Sequence, residues 1–250
     1  MLSFQQKFNI SKIISSVCGK YTAINGCRAL MYHSLKADVV GDLHGIYQMD
    51  KHLFQQQMQW LHEEFECNIS AIDECLTNNN KIAITFDDGY RDTFEVATPI
   101  LKAYNMPFTV FVAPGLIQSG DQRYLDRSML IELSKIKGCT IGAHSYSHIP
   151  LTECNDVKLH QELVDSKKWL EDLLSIPIHT MSYPYGAVDQ RVRDAVERAG
   201  YKIAASSIPG GNIAGCDTLR LNRTDIWAVD KMKIFSQKVN GRWDWMRWII

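Results

Sequence analysis

The chain has 250 residues, with 27 Lys and Arg against 28 Asp and Glu, a formal charge of −1 and 46% hydrophobic residues. Enough apolar material is available for burial to exclude a wholly disordered chain. With 15 Gly and 7 Pro it is no collagen or linker, and its near-zero charge gives no electrostatic footprint for nucleic acid.

No uninterrupted apolar run near the start has signal-peptide length, and no stretch reaches the ~20 apolar residues of a membrane span. Ile10, Ile13, Ile14 and Val17 recur at helical spacing, with Lys7, Lys12 and Lys20 nearby. Two readings follow: a helix packed on its own domain, or an interfacial helix on a membrane surface. Arg28–His33 reads as a strand. Asp50 then caps a helix with Phe54, Met58, Leu61 and Phe65 on one face. Lys81–Phe86 is a second strand, followed by a helical stripe of Ala97, Ile100, Leu101 and Tyr104. Phe108–Val112 is a third strand, ended by Pro114-Gly115. Cys139–Ala143 is a fourth, followed by a long helix with Leu163, Leu170, Leu173 and Leu174. Ile178–Tyr183 is a fifth. Asp189 caps a helix that stops at Gly200. Tyr201–Ser206 and Leu219–Asp225 complete about seven strands.

Strands separated by helices imply parallel pairing through right-handed crossovers. Seven of them predict a closed or nearly closed β/α barrel, with a doubly wound open sheet as the competitor. Both folds put chemistry at the C-terminal ends of the strands. There stand His33, Asp87, Asp88, His144, the run Tyr183-Pro184-Tyr185-Gly186, and Arg223 within the last strand.

Three motifs carry the chemistry. In Thr85-Phe86-Asp87-Asp88-Gly89, two adjacent carboxylates at the mouth of an apolar strand repel each other. A cation would relieve that repulsion and let one serve as ligand and the other as base; alone, Asp-Gly is a common turn. In His144-Ser145-Tyr146-Ser147-His148, two imidazoles four apart meet one metal if the segment makes a helical turn; alone they are surface histidines. In Ser182-Tyr183-Pro184-Tyr185-Gly186, a fixed backbone N–H could face a developing oxyanion.

These three motifs, in this order, resemble the first three motifs of the NodB-homology polysaccharide deacetylases, carbohydrate esterase family 4. Thr85–Pro114 is similar to that family's second βα unit, and Leu30-Met31-Tyr32-His33 to a subgroup opening with a Tyr-His strand. The resemblance runs from about residue 28 to 226. It implies a single-domain distorted (β/α)7 barrel over 28–226, flanked by an N-terminal helical segment (1–27) and a C-terminal Trp/Arg-rich segment (227–250). It implies Asp87 as catalytic base. Asp88, His144 and His148 would be ligands of a divalent metal, most simply zinc, and Tyr185 would be the oxyanion donor. The implied reaction is metal-assisted removal of an N-acetyl group from an amino sugar, nucleotide-linked, lipid-linked or in an oligosaccharide; the want of a signal-peptide run points to a step in glycan or glycolipid biosynthesis.

The sequence departs from the family at two places. Ser182 stands where much of the family has an Arg; Arg223, in Leu221-Asn222-Arg223, resembles the Arg of a late L-P-R strand and is the replacement. The family's late Leu-x-His motif is missing, so His33 is the substitute general acid, while His179, inside the fifth strand, reads as structural. The seven cysteines (Cys18, Cys27, Cys67, Cys75, Cys139, Cys154, Cys216) are odd in number and lack a C-x-x-C pair, which suits free thiols in a cytoplasmic protein, at most peripheral to the inner membrane face. The last ten residues hold three Trp and two Arg. They read as a closure of the barrel bottom, a sugar-stacking platform or an interfacial anchor. Two rival functions remain: an amidase or deformylase on a non-sugar amide, and a non-catalytic glycan-binding homologue. Nothing in the sequence speaks to oligomeric state.

Overall fold

A computed structural model describes residues 3–249. Helix α1 (Phe4–Val17) opens with a capping box between Ser3 and Gln6. Strand β1 (Arg28–Tyr32) and α2 (Lys51–Phe65) follow, then a two-residue strand β2 (Ile69–Ser70) and β3 (Ile82–Phe86). Next come α3 (Thr98–Ala103), β4 (Phe108–Val112), α4 (Pro114–Gln118), α5 (Arg127–Ser134) and β5 (Cys139–Ala143). The chain continues through α6 (Asp156–Leu174), β6 (Thr180–Ser182), α7 (Gln190–Arg198), β7 (Ile203–Ala205), β8 (Arg223–Asp225) and α8 (Met232–Val239). Asp50, Asp126, Asn155 and Asp189 cap α2, α5, α6 and α7, each accepting a first-turn N–H.

Seven strands lie side by side in the order β7-β6-β5-β4-β3-β1-β8, with β2 added against β3. All pairs are parallel. A bridge between Ala205 and Leu221 brings the β7 edge to the segment entering β8, so the sheet nearly closes. This is the distorted (β/α)7 barrel expected, in one domain, with β2 as an unanticipated extra.

Alternation sorts the strand residues into two layers. Leu30, Ile84, Phe86 and Val110 face outward and pack with helix residues such as Met58, Leu101 and Leu163. Ala29, Ala83, Phe111, Ala205 and Leu221 make a smaller inner cluster. Ala29 pairs in register with both Ala83 and Arg223. Two methyl groups next to Arg223 leave axial space for its long side chain.

Some expectations need correction. Helix α1 does pack on the domain, but through Phe8 and Ser15; of the stripe Ile10, Ile13, Ile14 and Val17, Ile14 is half-buried and the other three are exposed. His179 is exposed and precedes β6, and its carbonyl accepts from Lys202 and Ile203 N–H. Trp243 and Asp244 are buried, and Asp244 meets Arg28 at the start of β1, which closes the barrel bottom. No described helix is long and apolar enough to cross a membrane. The six cysteines with described side chains are free thiols; Cys67 lies outside the described side chains.

Candidate metal centre and active site

β3 delivers its last apolar residue, Phe86, to the barrel rim, and Asp87 N–H still donates to Tyr32 O at 2.9 Å as if the ladder continued. The chain then turns through two left-handed residues, Asp88 (φ 71°) and Gly89 (φ 74°). The left-handed region costs a non-glycine residue energy, so the strain at Asp88 is held by its surroundings. Asp87 is clamped by Arg223: Nη1 donates to Oδ1 at 2.6 Å and Nη2 to Oδ2 at 2.7 Å. Arg223 is itself fully buried, donates through Nε to Ser206 O at 2.8 Å, and stacks over Phe111. Burial pushes the Asp87 carboxyl up, but Arg223, with His144 and His33, holds it below the usual carboxylate range.

The second motif leaves β5 at Ala143. The expected helical turn does not form: Ser145 and His148 are both left-handed, at φ 54°. This looped path still brings the imidazole centroids within 4.9 Å. Nε2 of His144 lies 3.3 Å and Nε2 of His148 lies 3.0 Å from Asp88 Oδ1. Glu162, fully buried on α6, holds the loop by accepting Tyr146 N–H at 2.8 Å and Ser147 N–H at 2.7 Å, with Lys158 as its counter-charge. Ser182, at the end of β6, faces the other side of His144. Its carbonyl lies 2.9 Å and its hydroxyl 2.6 Å from Nδ1, and the hydroxyl donates to Asp87 at 3.4 Å.

The donor set fits a divalent ion. Asp88 Oδ1 is buried without a hydrogen-bond partner. A proton on His144 Nδ1, shared with Ser182, leaves the Nε2 lone pair facing that oxygen, the outer support metal-binding histidines use. One ligand atom from each of Asp88, His144 and His148 lies within 4.8 Å of the others. Burial lowers the His144 pKa, but Asp87 and Asp88 outweigh it and raise it above the ordinary value. A field that draws a proton to this point also draws a metal cation. Two imidazoles and a carboxylate suit zinc.

The trio opens into a cleft of 540 Å³ that also takes in His33, Tyr47, Tyr185 and Asp225. His33 directly follows β1; its Nδ1 is buried without a partner, and its ring lies 4.4 Å from that of Tyr47. Tyr185 is left-handed (φ 58°) and exposed, with its ring 4.9 Å from that of His148. Gly186 and Ala187 donate the hydrogen bonds of this turn, and Tyr185 N–H donates to no described acceptor. Asp92 pins the chain after His33 by accepting from Ser34 Oγ, Lys36 N–H and Ala37 N–H at 2.8 to 2.9 Å. Asp225 accepts Trp227 Nε1–H at 2.7 Å on the cleft wall.

Every residue singled out from the sequence, Asp87, Asp88, His144, His148, His33, Tyr185 and Arg223, thus lines one cleft. Ser182, Glu162, Asp92 and Asp225 were not foreseen as site residues. Ser182 departs from the family motif, yet its hydroxyl occupies the space between base and ligand.

The polysaccharide deacetylase family profile matches residues 76–204, more than half of the chain. The chain belongs to the polysaccharide deacetylase family. Among polysaccharide deacetylases and related proteins, it is similar to the peptidoglycan-N-acetylglucosamine deacetylase of Bacillus cereus, 32% identical over 130 residues, 50% of this chain and 56% of that one. The poly-β-1,6-N-acetyl-D-glucosamine N-deacetylase of Staphylococcus aureus is 25% identical over 210 residues, 73% of this chain and 72% of that one. The chain spans 64% of the length of a further relative from Bacillus subtilis. Among solved structures, the Streptococcus pyogenes deacetylase PplD in complex with acetate superposes with a TM-score of 0.74 at 25% identity, covering 87% of this chain and 99% of that one. The family match runs from before β3 to β7, so it includes all three motifs but neither His33 nor Arg223.

Proposed function

We propose that this polysaccharide deacetylase family member is a metal-dependent N-deacetylase that hydrolyses the acetamide of an amino sugar in a glycan or glycan precursor. The observation that carries this reading is the convergence of Asp88, His144 and His148 beside a separately clamped carboxylate, Asp87. The names of the similar B. cereus and S. aureus enzymes support N-acetylglucosamine units as the substrate class.

A divalent ion held by Asp88, His144 and His148 supplies Lewis-acid polarisation and water activation when bound. Asp87, ionised at neutral pH, accepts the proton of the attacking water. Arg223 and Ser182 fix its orientation and keep it charged. The Tyr185 N–H stands at the rim to receive the negative charge that develops on the carbonyl oxygen. His33 donates a proton to the leaving amine, replacing the late histidine that this chain lacks. The free thiols and odd cysteine count favour a reducing, cytoplasmic setting and hence a biosynthetic step.

The test is release of acetate from N-acetylated sugars presented free, nucleotide-linked, lipid-linked and polymeric, with and without chelator. Chelator-sensitive release from at least one is expected. Turnover only of formyl or non-sugar amides would replace this reading with an amidase. Saturable glycan binding without turnover, at full metal content, would replace it with a binding protein.

A further inference from the structure

The first 37 residues contain no Asp or Glu and carry Lys7, Lys12, Lys20, Arg28 and Lys36. Residues 231–250 carry five basic residues against Asp244 alone. Ten basic residues against one acidic give these two segments +9, so the chain's −1 leaves −10 for the remainder. The segments are packed together: Gln237 Nε2 donates to Ser16 Oγ at 3.2 Å, and Trp245 Nε1 to Ser15 Oγ at 2.8 Å. Arg28 and Lys238 are buried in ion pairs with Asp244 and Asp230, and Lys36 stands at the cleft end of β1, so it is Lys7, Lys12, Lys20, Lys231 and Lys233 that make α1 and the α8 rim a cationic face on an otherwise acidic molecule.

That face is also apolar where it should not be. At about 100° per residue, Ile10, Ile13 and Val17 fall on one side of α1, opposite the inward-facing Phe8 and Ser15. Ile13 is 66% and Val17 63% exposed. Lys7 and Lys12 lie between the stripe and the packed side, one on each flank. Beside it, a groove of 600 Å³ between α1 and α8 has Phe8, Leu53 and Ile234 among its apolar walls and Lys12, Lys231 and Lys233 among its charged ones. Trp248, 66% exposed, stands near the end of the neighbouring C-terminal segment, and Trp is a residue that favours a bilayer boundary.

We propose that α1 and the α8 rim form a docking surface for an anionic lipid bilayer, with α1 lying in the interface plane. Ile10, Ile13 and Val17 enter the acyl boundary, and the lysines pair with anionic headgroups. Charge complementarity selects the anionic bilayer, and the exposed aliphatic stripe requires an apolar layer under the charges. The inference does not depend on the catalytic reading.

Flotation of the full chain with vesicles tests it, using phosphatidylglycerol and phosphatidylcholine in equal parts against phosphatidylcholine alone. Binding to the anionic vesicles, weakened by salt, is expected. Combining Lys12→Glu, Lys231→Glu and Lys233→Glu should lower the partition coefficient by at least about tenfold. Ile13→Ser with Val17→Ser should also lower it, with net charge, circular dichroism and thermal midpoint retained. Absence of binding, equal binding to both vesicle types, or wild-type binding by the serine variant would each overturn the proposal. So would light scattering that shows a stable dimer dispersed by the serine variant, since a second copy would then cover this face.

Discussion

Asp87 and Asp88 are neighbours with opposite surroundings, and that difference divides their work. Both Asp87 oxygens meet a guanidinium, whereas Asp88 Oδ1 meets two imidazole nitrogens. Asp87→Asn keeps one acceptor for Arg223 but cannot take up a proton. It should retain most of its metal while kcat falls by about 10²-fold or more, the scale of a lost general base. Near-normal kcat in this variant would move the base elsewhere. Arg223→Met strands a buried carboxylate, and breaking a buried pair in this way costs about 3–5 kcal/mol. Urea unfolding should show that loss in full for Met and only in part for Lys, which keeps the charge without the fork. Most of the candidate residues were legible because they sit just beyond the end of a strand, His148 by its spacing of four from His144, and Arg223, the first residue of β8, by the Leu221-Asn222-Arg223 motif. Ser182 was not: a hydroxyl matters here only through its distance to His144, and spacing along the chain carries no such distance.

At the scale of elements, the metal-binding loop depends on a helix that contributes no ligand. Glu162 on α6 accepts two consecutive N–H groups of the loop and has no exposed surface. Glu162→Ala should lower zinc affinity by about 10- to 100-fold, the usual cost of losing outer support to a ligand, with Glu162→Gln between Ala and wild type. Isothermal titration measures it, and unchanged affinity would show that the loop holds its own shape. Burial pushes the Glu162 carboxyl up, yet Lys158 and Ser147 hold it below its usual value. Its contribution to stability is therefore present above the unfolded pKa of about 4.3 and is lost as pH falls through the lowered folded value. The regular elements were the legible ones. Phe108–Val112 and Cys139–Ala143 are apolar runs whose bounds match β4 and β5, and the caps at Asp50 and Asp189 fall as expected. The loop was not legible, because two left-handed non-glycine residues have no composition signal. Nor was the π-turn at Thr93–Ala97, which opens where Pro99 has no N–H to donate to Glu95.

Across the whole molecule, the two chain ends are joined by buried charge. Arg28 opens β1, and Asp244 lies 216 positions later; Nη1 donates to Oδ1 at 2.8 Å and Nη2 to Oδ2 at 3.0 Å. Asp244 also accepts Ile24 N–H at 2.8 Å, and Arg28 also donates to Thr224 Oγ1 in β8. One ion pair thus ties the entry to β1, the adjoining β8 and the C-terminal segment. A second buried pair, Lys238 with Asp230, fixes α8 while Lys238 Nζ donates to Asp225 O at 2.8 Å, just below the cleft wall. The closure of the barrel bottom by the Trp-rich segment was legible in the sequence, but the two buried ion pairs were not, since a lone Asp among Trp and Arg looks like surface. Asp244→Leu leaves Arg28 charged in an apolar setting and should cost about 3–5 kcal/mol, roughly 10 °C in thermal midpoint for a chain of this length. Arg28→Met alone should cost less, because Asp244 keeps the Ile24 N–H. Combining Arg28→Met with Asp244→Leu removes both charges together, and the double variant should recover much of the loss, since an apolar pair can replace a buried ion pair at little net cost. Thermal unfolding of the four proteins measures the coupling. Additive losses would mean that the pair does not act as a unit, and that the C-terminal segment is held by Trp243 packing instead.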